Sequence, residues 1–279
     1  MDIPLRNIGS IRNSGFELQL DGRIIDRAVK WDLGVNFSLN RSKVLVLSED
    51  KDIFGGELDN TILKDQLNLM RVGEPMYVFY GYVEDGYDEN GHIVYKNMDD
   101  DPAITAADKT IIGDPNPDFL VNLTTAVSYK GFTLSAFFQS SIGNDIYSLS
   151  MAAQAYDYGY NGNTLREVYY NHWTPENPTA KYPNLDQTSY KMSDRFVYDG
   201  SFGRLKNLEL AYDVPCARNK FIKRARVYVS AQNLFTITSY PFWDPDINAN
   251  GGGSSMIQGV DSYCYPSART YTIGCRLTF

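Results

Sequence analysis

The last ten residues of the chain, from Thr270 to Phe279, alternate between apolar and polar side chains without interruption. Tyr271, Ile273, Leu277 and Phe279 share one face with Cys275, and the other face carries threonines, a glycine and an arginine. Because successive side chains of a strand point to opposite faces, the pattern predicts a strand with one apolar and one polar face. A strand of this length can cross a bilayer at a tilt, with the apolar face toward lipid and the polar face toward a lumen. The edge strand of a soluble sandwich shows the same alternation. The final strand alone therefore leaves both interpretations open.

The composition of the chain limits the functions that it can have. The chain carries 21 tyrosines and 14 phenylalanines, and such amphipathic and aromatic rings collect at membrane interfaces and carbohydrate surfaces. The formal net charge of −8 argues against nucleic-acid binding, which requires a basic face. No run of about eighteen apolar residues predicts a transmembrane helix.

Cysteine and histidine usage predicts neither a disulfide framework nor a metal centre. Cys216, Cys264 and Cys275 form no CxxC pair, so we expect free thiols. The two histidines, His92 and His172, lack a metal-binding spacing. We expect no cofactor, apart from the calcium site considered below.

Several further segments match the strand pattern. Residues 15–26 and 28–40 predict a hairpin around Asp21-Gly22 or its flank, and residues 119–128 and 132–141 predict another around Lys130-Gly131. Two more predicted strands cover 202–212 and 225–238. Long polar connections over 84–116, 143–196 and 239–266 separate these strands, with a short helix expected near 163–170. Because hairpins join neighbouring strands, we predict an all-β antiparallel meander of eight to ten strands. Its short turns on one side and long loops on the other are typical of outer-membrane barrels.

Seven motifs resemble those of one family, the SusC/RagA-type TonB-linked outer-membrane transporters. They occur in family order from residue 7 to residue 236, and an eighth segment, residues 265–270, leads into the terminal strand as in the family, so that the resemblance extends to residue 279. The motifs are Asn7–Glu17, Val72–Tyr82 (similar to GxPxxxFYGY), Ile112–Phe119 (IGNPNPDF), Phe138–Tyr147 (FFQGSxGNDIYN), Trp173–Pro178 (WTPENP), Arg204–Asn207 (LRLKN) and Ser230–Thr236 (SGQNLFT).

The resemblance implies an organisation and a set of partners. Residues 1–279 would be the C-terminal part of a large transmembrane β-barrel with long extracellular loops, without the family's plug domain and N-terminal strands. The residues at the start, from Met1 to Arg6, show no export signal, so we expect a fragment or an upstream start. The family implies active import of oligosaccharides or peptides across the outer membrane of a Gram-negative cell, with no enzymatic activity. A SusD-like surface lipoprotein would cap the barrel, and TonB would act through the missing N-terminal part.

Aromatic residues of the long loops are the predicted contacts for substrate or lipoprotein, because aromatic faces stack on sugars and peptide side chains. Loop packing or an interfacial belt is the alternative role. These residues are Tyr156, Tyr158, Tyr160, Tyr169, Tyr170, Trp173, Tyr240, Phe242 and Trp243.

Two further sites follow from the resemblance. Asn97, Asp99, Asp101 and Asp108 occupy the place of an acidic family loop whose alternate oxygens would hold Ca²⁺. Pro102 stands where that loop has glycine, so a solvated acidic loop competes with a weak calcium site. The terminal aromatic strand, with Tyr271, Ile273, Leu277 and Phe279, resembles the signal that the barrel-assembly machinery recognises.

Two other functions would suit parts of the sequence. A soluble β-sandwich that binds glycans fits the aromatic content and the acidity, and it would bury the apolar faces against a second layer. A glycosidase requires two carboxylates across a cleft, and no pair is singled out here.

Overall fold

The computed structural model describes residues 9–59, 63–156, 163–216, 221–247 and 256–279. Eighteen strands and two helices lie in these segments, together with three short 3-10 turns at 48–50, 106–108 and 194–196. In chain order the elements are β1 (Gly9–Asp26), β2 (Val29–Leu47), β3 (Ile53–Phe54), β4 (Glu57–Asp59), β5 (Lys64–Gln66), β6 (Asn68–Met70), β7 (Val78–Gly81), β8 (Glu84–Tyr87), β9 (Ile93–Tyr95), β10 (Thr110–Gly113), β11 (Phe119–Tyr129), β12 (Phe132–Ile142), β13 (Asp145–Ser148), α1 (Leu149–Tyr156), α2 (Arg166–Tyr170), β14 (Val197–Asp199), β15 (Phe202–Val214), β16 (Arg224–Thr238), β17 (Val260–Asp261) and β18 (Thr270–Thr278).

The long strands form one antiparallel sheet of seven strands, in the order β1-β2-β11-β12-β15-β16-β18. Every neighbour in this sheet is also the next long strand along the chain, so the predicted meander is confirmed. The first hairpin turns at Arg27-Ala28, the flank of Asp21-Gly22, and Gly22 lies within β1 opposite Leu33. β2 runs on to Leu47, seven residues past the predicted strand end at residue 40.

The second hairpin turns at Lys130 and Gly131, which both have positive φ, at 46° and 87°. Two central residues with positive φ match the right-handed twist of the flanking strands, which is why such a turn closes a tight hairpin. This turn, the turn at Arg27-Ala28, the end of β15 and the start of β16 all lie at one end of the sheet. That end is called the turn end below.

The register places most apolar side chains of the seven strands on one face, called the outer face. Across the sheet, Leu20 lies opposite Val35, Leu123 opposite Val35, Leu134 opposite Val127 and Leu210, and Ile273 opposite Val229. Many of these side chains are exposed, Ile273 by 87%. No second layer of described residues packs on them, in contrast to the sandwich alternative.

The opposite, inner face of the sheet is polar. Arg23 contacts Asp32 at 2.8 Å, and Arg226 contacts Asp213 at 3.3 Å and Glu209 at 3.5 Å. Seven strands with this division between faces are the architecture of a barrel wall that meets hydrocarbon outside and water inside. No helix of the described residues is long and apolar enough to cross a membrane.

Candidate functional site: the loop core and the cleft beneath it

Three long connections leave the sheet at the end opposite the turn end. They cover residues 48–118, 143–201 and 239–269, and their described parts fold together instead of extending separately. One hydrophobic cluster takes side chains from all three, including Phe79 from the first, Tyr147 and Phe196 from the second and Val260 from the third. We call this cluster the loop core. It holds the three connections together as one cover over the sheet.

Buried polar contacts join the connections to one another. The Asn68 side-chain amide donates to the carbonyls of Tyr77 (2.8 Å) and Gln258 (3.0 Å), and thereby links the first connection to the third. Glu84 of the first connection pairs with Arg195 of the second and accepts a hydrogen bond from Ser193 at 2.6 Å. Because unpaired buried polar groups are costly, these paired groups specify how the loops fit together.

A buried arginine fastens the third connection to the sheet. The Arg204 side chain on β15 is 2% exposed and pairs with Asp244, which is also buried. Its Nε donates to Thr236 of β16 at 2.8 Å, and another of its nitrogens reaches Ser267 at 3.2 Å. Burial opposes ionisation of Asp244, yet the N–H groups of Ser267 and Asp246 together with Arg204 lower the pKa of Asp244 below its ordinary value.

Two of the predicted ligand-contacting aromatics belong to the interior. Tyr156 lies in the loop core and stacks on Tyr190 with ring centroids 3.7 Å apart. The buried Tyr240 donates its hydroxyl to the Asp261 carboxylate at 2.6 Å, and burial followed by this bond raises the pKa of Tyr240 above its ordinary value. The expectation of ligand contact is corrected for these two residues: a tyrosine in a loop carries enough apolar surface to pack a core, and here it does so.

The other described aromatics of the set lie nearer the surface. Tyr169 and Tyr170 at the end of α2 are 59% and 72% exposed, and Trp243 is 54% exposed and stacks on Phe242 at 4.8 Å. Trp173 is half-buried, and its ring lies against Gly91 so closely that a Cβ there would collide with it. Ligand contact by these residues remains a prediction. Tyr158 and Tyr160 lie outside the described residues.

The acidic loop binds its own backbone. Asn97 accepts from the N–H of Asp99, and Asp99 accepts from the N–H of Asp101. Asp108 is buried and accepts from the N–H groups of Met98 and Thr105, both at 2.7 Å, which hold the pKa of its carboxyl below the ordinary range. Within the described residues, no three His, Cys, Asp or Glu side chains are placed to share a metal ion. The calcium site remains a prediction.

A polar cleft of about 460 Å³ opens between the three connections and the inner face of the sheet. Its wall combines sheet residues with residues that follow or precede strands in the connections, and amides and hydroxyls predominate. The polar members include Asn13, Asn40, Ser42, Asn116, Asn144 and Gln258. The cleft is not predicted from the sequence, although the asparagines on the polar face of the predicted strand at 28–40 are a signal for it.

An amide row crosses the inner face of the sheet. Gln19, Asn36, Asn122 and Gln139 are direct partners on four adjacent strands, from β1 to β12. The last three make no side-chain hydrogen bond to another described residue, so their amide donors and acceptors face the lumen side. Uncharged hydrogen-bonding groups in a row suit a neutral solute rich in hydroxyls or amides.

The predicted assembly strand lies at the edge of the sheet. β18 pairs with β16 over nine residues, and Tyr271, Ile273, Leu277 and Phe279 are all exposed. Recognition of this strand by an assembly machinery stays a prediction.

The fold and the loop cover define the class: the sheet is part of the wall of a large β-barrel whose long loops fold into a cap. Comparison with known proteins gives the family. The chain is 31% identical to TonB-dependent receptor P3 of Formosa agariphila over 99% of its own length and 29% of that protein's length. It is 28% identical to TonB-dependent receptor SusC of Bacteroides thetaiotaomicron over 98% of its length and 27% of SusC.

Solved structures agree with these relatives. A RagAB peptide transporter structure matches 98% of the chain and 29% of the matched transporter chain, at 26% identity with a TM-score of 0.79. A second RagAB structure, in the closed-closed state, gives a TM-score of 0.81. No protein-family profile matches the chain.

The chain is thus homologous to TonB-dependent receptors of the SusC/RagA type, as the motifs predicted. It spans 29% and 27% of the length of these two curated relatives. The relatives named here are receptors or transporters and not enzymes.

Proposed function

We propose that this chain forms part of an outer-membrane importer that takes up oligosaccharides or peptides with the help of TonB. The sheet would supply a section of the barrel wall, and the loop core would form the extracellular cap above it. The solute would pass the polar inner face, where the cleft and the amide row supply hydrogen bonds.

The observation that carries this proposal is the height of the apolar band on the outer face. Phe119 stacks on Phe37 at 5.8 Å near the loop end, whereas Phe132 lies against Tyr212 at 4.5 Å at the turn end. Phe119 and Tyr129 begin and end β11 on the same face. Ten residues of a strand tilted by about 40° span roughly 25 Å along the membrane normal, which is the height of the apolar band of outer-membrane barrels.

A SusD-like surface lipoprotein is the proposed partner at the loop end. The exposed rings of Tyr169, Tyr170 and Trp243 offer aromatic surface there, and Tyr, Trp and Arg dominate the binding energy of most protein interfaces. The same rings would stack on a glycan or on a peptide side chain when the lipoprotein hands over its solute. TonB would act through a part of the whole protein other than these 279 residues.

The barrel-assembly machinery is proposed to recognise β18. Its outward side chains end in Phe279, at the exposed edge of the sheet. Deletion of Phe279 from the full-length protein should reduce its insertion into the outer membrane, and insertion at the normal level would remove this role.

The test of import uses the full-length gene in its host. A deletion strain should lose growth on the transported oligosaccharide or peptide, and the wild-type gene should restore it. Replacing Tyr170 and Trp243 together by alanine should reduce uptake and co-purification of the lipoprotein, whereas the change of Tyr228 to alanine, on the inner face of β16, should leave co-purification unchanged. Growth of the deletion strain on every such nutrient at the wild-type rate would contradict the proposal.

A soluble glycan-binding sandwich is the alternative, and it is disfavoured by the exposed outer face. Such a module would need a second layer over Leu20, Leu134 and Ile273, all of which are exposed. Membrane fractionation separates the two functions, because a sandwich would be recovered from buffer without detergent.

A further inference from the structure

The outer face carries a groove near the turn end. Its volume is about 500 Å³, and its floor is made of small side chains, Val227 and Val229 on β16 with Cys275 on β18. Larger side chains form the walls, with Phe132 and Leu210 on one side and Ile273 on the other. An apolar channel of this kind suits a flexible hydrocarbon chain, which fills irregular space without polar contacts.

The groove is continuous with the apolar band, so its surroundings would be lipid. At its lower end lies the aromatic pair of Phe132 and Tyr212, with Tyr129 opposite Phe132 on the next strand. Aromatic rings of this kind mark the level at which hydrocarbon gives way to headgroups. A chain seated in the groove would therefore place its headgroup beside the turn end.

Cations border that level. Lys130 sits in the turn between Tyr129 and Phe132, with its Nζ 5.2 Å from the centre of the Tyr129 ring. Lys223 directly precedes β16, and its N–H donates to the carbonyl of Thr278 at the end of β18. The neighbouring carboxylate of Asp213 is engaged by Arg226. In a chain with net charge −8, these basic residues favour an anionic headgroup at this point.

We propose that the groove binds one acyl chain of an anionic phospholipid, whose headgroup lies at the level of Lys130 and Lys223 at the turn end. The inference rests on the proposed membrane function, because the groove meets lipid only in an inserted barrel. Since the turn end of such barrels faces the periplasm, the lipid would belong to the inner leaflet of the outer membrane. Its role would be to fix the depth of the β15–β18 side of the sheet.

The test uses the full-length protein, purified from membranes in mild detergent and examined by native mass spectrometry. Phosphatidylglycerol and phosphatidylethanolamine with identical acyl chains are added separately, and retained lipid is counted. We expect preferential retention of phosphatidylglycerol. Val229→Trp fills the groove with an apolar ring and should weaken that retention roughly tenfold, since several buried methylene contacts are lost.

Val121→Trp is the matched control, because Val121 lies on the outer face of β11 away from the groove. This variant should retain phosphatidylglycerol like the wild type. Cys275→Leu, a smaller change on the groove floor, gives a second measurement should the tryptophan disturb folding, and heat-modifiable migration on gels reports folding for each variant. Equal retention in Val229→Trp, Cys275→Leu and Val121→Trp would overturn the acyl-chain site.

The headgroup is tested separately. Lys130→Gln with Lys223→Gln should abolish the preference for phosphatidylglycerol while retention of phosphatidylethanolamine stays unchanged. A preference that survives both substitutions would overturn the headgroup contact. Recovery of the wild-type protein outside the membrane fraction would overturn the proposed function itself, whereas an inserted protein with equal retention in all variants would remove only the lipid site.

Discussion

The sheet and the loop core place the same types of apolar side chain in opposite environments. In the sheet, Leu134, Leu210 and Ile273 point outward and are exposed, whereas in the loop core Leu67, Phe79 and Tyr147 point inward and have almost no exposed surface. The loop core follows the rule for proteins in water, and the sheet follows the rule for a wall between hydrocarbon and water. One chain is therefore built for two solvents, and the boundary between them runs where the long strands end.

A substitution at the contact between the sheet and the loops should cost the most stability, because a buried charge pair lies there. Arg204→Met would leave Asp244 buried without its partner and should destabilise the attachment of the third connection by about 3–5 kcal/mol. Urea unfolding of the full-length protein in lipid vesicles, followed by protease cleavage within 239–269, measures the effect.

The control for this prediction replaces both partners. Arg204→Met combined with Asp244→Leu removes the two charges together and should restore most of the lost stability, since no uncompensated charge remains. If Arg204→Met alone resists unfolding and proteolysis like the wild type, the arginine does not fasten the loops to the sheet.

An arginine introduced on the outer or the inner face of the sheet tests which face meets hydrocarbon and which meets water. Ala136→Arg faces outward near the mid-height of the apolar band, opposite Leu208, and should cost about 2–4 kcal/mol. Ser135→Arg is the neighbouring change on the inner face, opposite Glu209, and should cost about 0–1 kcal/mol because water reaches it. Folding of both variants into vesicles gives the two values, and equal costs would mean that the outer face does not meet lipid.

The sheet could be predicted from the sequence because each strand is specified by the pattern of its own residues and by the adjacent turn. The alternation in β11, β12 and β18 states which side chains share a face, and a tight turn such as Lys130-Gly131 fixes the partner strand. The count was less accurate: eight to ten strands were expected, and the sheet has seven.

The loop core could not be predicted in the same way, because its contacts join residues far apart in sequence. Asn68 contacts Gln258 across 190 residues, and β13 pairs in parallel with β17, a strand of two residues. The expected helix near 163–170 is present as α2, but α1 was missed, since seven of its eight residues are buried and it shows no polar stripe. The cleft depends on these contacts and was missed with them.

Substitutions at two glycines allow the packing of the two regions to be compared directly. A Cβ on Gly113 would lie within 3.0 Å of Phe79, Asp145 and Val197 at the edge of the loop core, whereas a Cβ on Gly203 of β15 would meet nothing within 4 Å. Gly113→Ala should therefore destabilise by about 1–3 kcal/mol through overpacking. Gly203→Ala should change stability by less than about 0.5 kcal/mol. Urea unfolding of the two variants in vesicles is the measurement, and equal values would mean that the loop core tolerates added volume.

The smallest effect should be local and dependent on pH. The pKa of Asp108 is lowered in the folded loop because its carboxylate accepts the N–H groups of Met98 and Thr105. A carboxyl with a lowered pKa stabilises the folded state above its unfolded pKa, and this contribution is lost as the pH falls through the folded value. Hydrogen exchange at Met98 and Thr105, corrected for intrinsic rates, should therefore show protection at pH 6 that decreases below about pH 4.

Asp108→Asn, which keeps an acceptor oxygen but cannot ionise, should lose this pH dependence, while amides of the sheet serve as the internal reference. Protection at Met98 that stays constant from pH 6 to pH 3 in the wild type would show that the ionised carboxylate does not organise this loop, and the acidic segment would then differ from the sheet in composition alone.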